Sequence, residues 1–291
     1  MPQSSPPEVR RKISEMLHAR MSGQISRLLS YFAQDIVLHC ACSREGVLSP
    51  GIWRGWDALR SVSRLTDENY QPIDHEILDI VIDGSASAVR WRGEWRQLAT
   101  NKICFIDAAH FLHWRDGVVV EMHEYFQHTS DTIPHSAAAL ISGNLLAETS
   151  PGLSREEIGD RARQLVAFPS NGPKIGAIQE LCSPNIVCDF VGDRARIPYA
   201  GRHVGIEALI NVVRAVTIDF EQSHCDIAAI LIENGHVAGR RQVEWRHRGT
   251  GRRGLVDLAN FVRFEDGMIV ELIEFRDSIT LLEMEGRLKN Q

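Results

Sequence analysis

One feature constrains this chain more than any other: its second half tracks its first at a constant offset of 150 residues. Gly51 and Gly55 return as Gly201 and Gly205, and Ala58-Leu59 returns as Ala208-Leu209. Glu94-Trp95-Arg96 returns as Glu244-Trp245-Arg246, and Phe111 as Phe261. Asp116-Gly117 returns as Asp266-Gly267, and Glu121 and Glu124 return as Glu271 and Glu274. A loop of different length would break the offset, so the halves share one backbone. The period is far longer than the roughly 20–50-residue unit of a solenoid and has the size of a domain. The expected organisation is one domain over 1–130, a linker over 131–153 rich in Pro, Ser, Thr and Gly, and a second domain over 154–291.

Within each half the hydrophobic period changes once. Apolar residues recur at helical spacing over Glu8–Leu29, with a break at Ser22-Gly23, and again over Gly55–Leu65. Between them Ile36–Cys40 reads as a short strand and Ser43–Gly51 as a loop. Alternation then predicts strands over Ile77–Ile82, Ala88–Leu98, Ile103–Trp114 and Val118–Phe126, with turns at Asp83-Gly84 and Asp116-Gly117. The second half repeats the order. It has helices near Glu156–Val166, Ile175–Leu181 and Ile206–Val216, an early strand at Ile186–Phe190, and four strands ending at Asp277. Short helices are also expected at Ala137–Leu146 and Leu281–Leu288. Helices followed by a run of strands predict an α+β fold, with the helices covering one face of a twisted antiparallel sheet.

The net charge of -6 and a pI near 6.1 give no general attraction to nucleic acid or anionic lipid. No apolar stretch approaches the roughly 18 residues that span a bilayer, and Met1–Lys12 lacks the apolar core of a signal peptide. A cytoplasmic protein with no membrane or nucleic-acid partner is therefore expected. The six cysteines do not recur at matching places, and Cys40-x-Cys42 fits poorly with zinc spacing. They are read as buried free thiols. His110 and His113, three apart on a strand, point to opposite faces, and neither a metal site nor a cofactor is expected.

Two segments carry a resemblance. One is the entry to the middle helix, Trp53-Arg54-Gly55 ahead of Trp56–Val62, with Gly201–Gly205 ahead of Ile206–Val212. The other is the closing strand, Asp116-Gly117-Val118-Val119-Val120-Glu121 and Asp266-Gly267-Met268-Ile269-Val270-Glu271, which in the second copy runs on to Asp277. With the element order, these resemble the NTF2-like superfamily, specifically its SnoaL-like branch. The resemblance implies two tandem cystatin-like cone domains, each a curved, mainly antiparallel sheet wrapped by helices around a ligand pocket. It also implies pairing through the outer sheet faces, hence an internal pseudo-dimer, with a further homodimer of chains as an added expectation.

The carboxylate, tyrosine and sheet aspartate of ketosteroid-isomerase types would fall on Cys40, Met16 and His110, and on Phe190, Val166 and Asn260, so that set is missing. An epoxide-hydrolase-like set would use Arg92, Glu94 and Glu124, and a cyclase-like acid would be Asp277. From the residues themselves, histidine titrates near neutrality, which makes His110, His123 and His39 the acid/base candidates, with Glu94 or Glu124 as charge partners. Trp53, Trp91, Trp114, Tyr125, Asn260 and Phe275 are the candidate ligand-binding residues. The expected function is binding of a small apolar ligand, with cofactor-independent isomerase, cyclase or dehydratase chemistry on an apolar ring compound. A non-catalytic carrier or scaffold is the alternative.

Overall fold

The computed structural model describes residues 5–42, 51–129, 152–166 and 175–288. The helix expected at Ala137–Leu146, and the linker up to residue 151, lie outside the described residues. The chain divides into two compact units, Met1–Ala147 and Glu148–Gln291.

The first unit runs α1 (Pro6–Met21), α2 (Ile25–Leu29), β1 (Phe32–Cys42), β2 (Gly51–Arg54), α3 (Gly55–Asn69), β3 (Tyr70–Asp83), β4 (Ala86–Gln97), β5 (Ile103–Arg115) and β6 (Val118–Thr129). Its six strands lie in the order β2-β1-β6-β5-β4-β3. The meander β3 to β6 is antiparallel, as the alternation predicts, while β1 runs parallel to β6.

The second unit repeats this with α4 (Arg155–Val166), α5 (Ile175–Leu181), β7 (Cys182–Phe190), β8 (Gly201–Val204), α6 (Ile206–Asp219), β9 (Phe220–Glu233), β10 (His236–His247), β11 (Arg253–Glu265), β12 (Met268–Arg276) and α7 (Ser278–Glu285). Its sheet order is β8-β7-β12-β11-β10-β9.

The repeated glycines mark backbone that a side chain would strain. Gly55 and Gly205 have φ of 76° and 91° where the chain turns from a strand into α3 or α6. Asp116-Gly117 and Asp266-Gly267 take positive φ at both positions, the hairpin turn that matches strand twist. The four-residue strands β2 and β8 are missing from the sequence reading because they are short and begin with glycine. β3 starts seven residues before the predicted Ile77. Its first half contains Pro72, which has no N–H to give a ladder and is tolerated at an edge, and β3 is an edge.

One stripe of α1 (Val9, Ile13, Met16, Leu17) is buried with Val89, Trp91, Ile106 and Leu112 of the sheet. In the second unit Ile158 and Leu165 of α4 and Leu209 and Val212 of α6 form the matching core. In the second unit α7 packs on β11 where Gly254 leaves room. A Cβ at Gly254 would lie 2.6 Å from Thr280 Cγ2.

Asp277, the candidate cyclase-like acid, caps α7. Its Oδ1 accepts hydrogen bonds from Ile279 and Thr280 N–H, both at 3.1 Å. Burial pushes its carboxyl above the usual range against those bonds, so folding favours the protonated form. Its contribution to stability is present in acid and lost as pH rises from the ordinary value of 3.8 through the folded one. Replacing Asp277 by Ala removes the cap and should cost about 1 kcal/mol in denaturant unfolding. Asp277→Asn keeps the cap without the buried charge and should be at least as stable as the natural chain at pH 7.

Candidate functional site

In each unit the helices and the inner sheet face enclose a cavity. The first holds about 710 Å³ not filled by atoms, open solvent at its mouth included. Leu17 of α1 and Leu59 and Val62 of α3 form its roof. Its floor is Trp91 and Trp95 of β4, Ile106, Ala108 and His110 of β5, and Met122, Glu124 and Phe126 of β6. Period-two alternation puts these residues on one face. Gly93, between the two tryptophans, provides the space they need: a Cβ there would fall 2.3 Å from Trp95 Nε1. The second unit has Val243 at that position.

His110 and Glu124 are cross-strand partners and both are buried. His110 Nε2 lies 3.0 Å from Glu124 Oε1 and 3.3 Å from Trp91 Nε1. The Cys40 thiol donates to the other oxygen, Glu124 Oε2, at 3.7 Å. These contacts fit two proton arrangements. A protonated Nε2 donates to the carboxylate, or an unprotonated Nε2 accepts from Trp91 and from a protonated Glu124. His110 Nδ1 is buried without a hydrogen-bond partner among the described residues. A proton can thus move within the pair without either group leaving its place.

The second cavity is about 920 Å³ on the same measure. The 150-residue offset puts Asn260 at the place of His110 and Glu274 at that of Glu124. It puts Arg241 at the place of Trp91 and Arg276 at that of Phe126. All four line the cavity. Glu274 Oε2 accepts from Arg241 Nη2 and from Asn260 Nδ2, each at 2.9 Å, and Oε1 accepts from Arg276 Nε. Burial disfavours the Glu274 charge. Arg276 and Arg241, with the Asn260 bond, outweigh it and hold the carboxyl below the usual range.

The remaining candidates lie elsewhere. His123 and His39 are on the sheet face opposite His110. Their rings stack at 4.1 Å, and both Nε2 atoms approach Glu121 Oε1, at 3.1 and 3.2 Å. Their ligating atoms, with that of Glu121, fall within 4.8 Å of one another, so this trio could hold a metal. The expectation of no metal site considered spacing along one strand. The trio arises from the parallel pairing of β1 with β6, which spacing does not reveal.

Arg92 and Glu94 are also on the far face from Glu124, so the epoxide-hydrolase-like trio is not assembled. Arg92 is engaged by Asp107, through Nε to Oδ1 at 2.7 Å and Nη2 to Oδ2 at 2.8 Å. Trp53 packs partly buried against the core. The Trp114 indole donates to Ser87 Oγ at 2.8 Å. Tyr125 meets Phe111 edge-on at 6.3 Å, and Phe275 is fully buried. None of these four lines either cavity. Arg241 and Arg276 were missed by the sequence reading, whose charged candidates were histidines and carboxylates, with Arg92 from the epoxide-hydrolase-like set. Their signal was the replacement of Trp91 and Phe126 by arginine at matched positions.

Among the described cysteines, Cys40, Cys104, Cys182, Cys188 and Cys225 are free thiols. Burial pushes Cys182 up to about 12 and raises Cys188 as well, which suits inert thiols.

The sequence model of a family described as "SnoaL-like domain" matches residues 13–122 and again residues 163–272. No curated protein matches the chain. Among solved structures, an NTF2-like protein from Burkholderia xenovorans LB400 is similar at 22% identity, covering 46% of this chain and 97% of that one, with a TM-score of 0.34. TsrD from Streptomyces laurentii is similar at 19% identity, covering 47% of this chain and 99% of that one, with a TM-score of 0.39. An NTF2-like protein from Burkholderia thailandensis is similar at 18% identity, covering 47% and 97%, with a TM-score of 0.38. Each is matched nearly whole by less than half of this chain.

Two outcomes follow for the buried charges and the tryptophan pair. Glu274→Gln leaves two buried guanidiniums opposite no carboxylate and should lose about 3 kcal/mol or more at pH 7. Because the Glu274 carboxyl is depressed on folding, its contribution is present above its ordinary value of 4.5 and lost as pH falls through the folded value. Urea unfolding should therefore show the gap between the two proteins closing in acid. Gly93→Val overfills the floor of the first cavity and should cost about 1–3 kcal/mol, with a shift in tryptophan emission.

Proposed function

Because this chain belongs to the SnoaL-like domain family in both of its units, we propose that it binds small molecules in its cavities and that the first unit is a proton-transfer enzyme. Its substrate would be an apolar ring compound with an acidic C–H beside a carbonyl. The carrying observation is the His110–Glu124 pair, 3.0 Å apart in the wall of a mostly apolar cavity.

The chemistry needs a group that takes a proton from carbon and one that returns it at another atom, which is the common core of isomerisation, dehydration and ring closure. In this reading the imidazole accepts the substrate proton. Glu124 fixes its orientation and stabilises the imidazolium that forms, as a carboxylate does for a catalytic histidine elsewhere. The surrounding Trp91, Phe126 and Met122 hold the ring and keep water from competing. No residue in this scheme requires a cofactor. For the second unit the favoured reading is binding without proton transfer, because Asn260 stands in the place of His110 and does not titrate.

The test is solvent deuterium exchange into 2-tetralone, followed by proton NMR. The natural chain should catalyse exchange, and His110→Gln should slow it by about a hundredfold or more. Asn260→Ala should leave the rate unchanged. Exchange that proceeds equally well in His110→Gln refutes the assignment.

A further inference from the structure

The first cavity needs no charged ligand. Its charged lining residues are Glu124, engaged with His110, and Arg20, engaged with Asp67 at 2.9 Å. The second cavity differs in kind. Its charged lining residues are Arg241, Arg248, Arg276, Glu221 and Glu274, a surplus of one positive charge. Glu221 is drawn to Arg246 at 2.5 Å, and the Arg248 Nε donates to the Thr217 carbonyl at 3.3 Å. The deep part therefore presents two guanidiniums and a single carboxylate.

Those guanidiniums are built in rather than loosely placed. Arg241 is 8% exposed and Arg276 is 7% exposed. The Arg276 guanidinium lies 5.2 Å from the Phe190 ring centre, 4.8 Å from that of Tyr199 and 5.7 Å from that of Trp245. Three aromatic faces fix its position. Arg241 gives Nη2 to Glu274, while its Nε–H is buried with no acceptor among the described residues. A buried donor left without an acceptor is unfavourable, and a surplus buried charge more so. An anion in the cavity would offset the surplus charge.

We propose that the second cavity is a receptor for an organic anion, an aromatic carboxylate whose charge is met by Arg241 and Arg276. Its ring rests against the apolar wall of Leu209, Val212 and Val216. Arginine suits this task because its planar fork matches a carboxylate. The two units then select ligands of opposite character from one backbone, a neutral ring in the first and an anionic ring in the second. The inference rests on the small-molecule reading of the cavities but not on proton transfer by His110.

The experiment is isothermal titration of the full chain with 2-naphthoate and with 2-naphthamide, which share a shape and differ in charge. The natural chain should bind the carboxylate about tenfold tighter or more. His110→Gln should keep that preference and Arg241→Met should abolish it. Circular dichroism checks that Arg241→Met is folded. If it is not, Arg241→Lys replaces it, and its point charge without a fork should lower the preference several-fold. Equal affinity for the two probes overturns the proposal. So does failure of 2-naphthoate to bind below about 10 mM, or a preference lost in His110→Gln and kept in the Arg241 variants. Such results leave the deuterium-exchange outcome for the first unit untouched.

Discussion

A carboxylate buried in the cavity wall governs what can surround it. Glu124 and Glu274 occupy the same place in the two sheets, each opposite its partner on the neighbouring strand, His110 or Asn260. Taking such a group out of water is costly, so it is protonated, hydrogen-bonded or neutralised by a cation. The first unit uses a titratable imidazole with an indole and a thiol beside it. The second uses two guanidiniums and an amide. The first solution leaves a proton free to move, and the second locks the carboxylate in its charged form and adds a positive surplus.

The scaffold makes this divergence possible without change of shape. Alternation along β4, β5 and β6 presents residues two apart to the same cavity, so substitutions at matched positions alter chemistry and leave the backbone intact. Volume is redistributed at the same time. Gly93 lets Trp91 and Trp95 crowd the first floor, while Val243 fills the corresponding place beside Arg241.

Much of the fold was legible because its signals are local. Asp-Gly turns with positive φ, alternating strands and amphipathic helices each announce themselves within a few residues. Of the strands missed or shortened, β2, β8 and the first half of β3 lie at sheet edges, where pairing on one side suffices, while the openings of β1 and β7 lie where a register shift interrupts their pairing with β6 and β12. The site was legible only in part. His110 and Glu124 were candidates from residue chemistry. Which of the other candidates shared their face depended on pairing between strands far apart in sequence.

By itself the sequence determined the duplication, the α+β order of each unit and the family, because a fixed offset and a repeated hydrophobic pattern need no knowledge of long-range contacts. Tertiary structure decided the groupings. The parallel pairing of β1 with β6 brought His39 to His123 and Glu121, and the register of β5 with β6 put His123 on the face away from His110. The meander gave Glu124 to His110, Arg92 to Asp107 and Glu274 to Arg241, while Arg276, two residues beyond Glu274 on the same strand, shares its face by alternation alone. Strand register fixes which side chains meet, and register is a property of the assembled sheet rather than of any one segment.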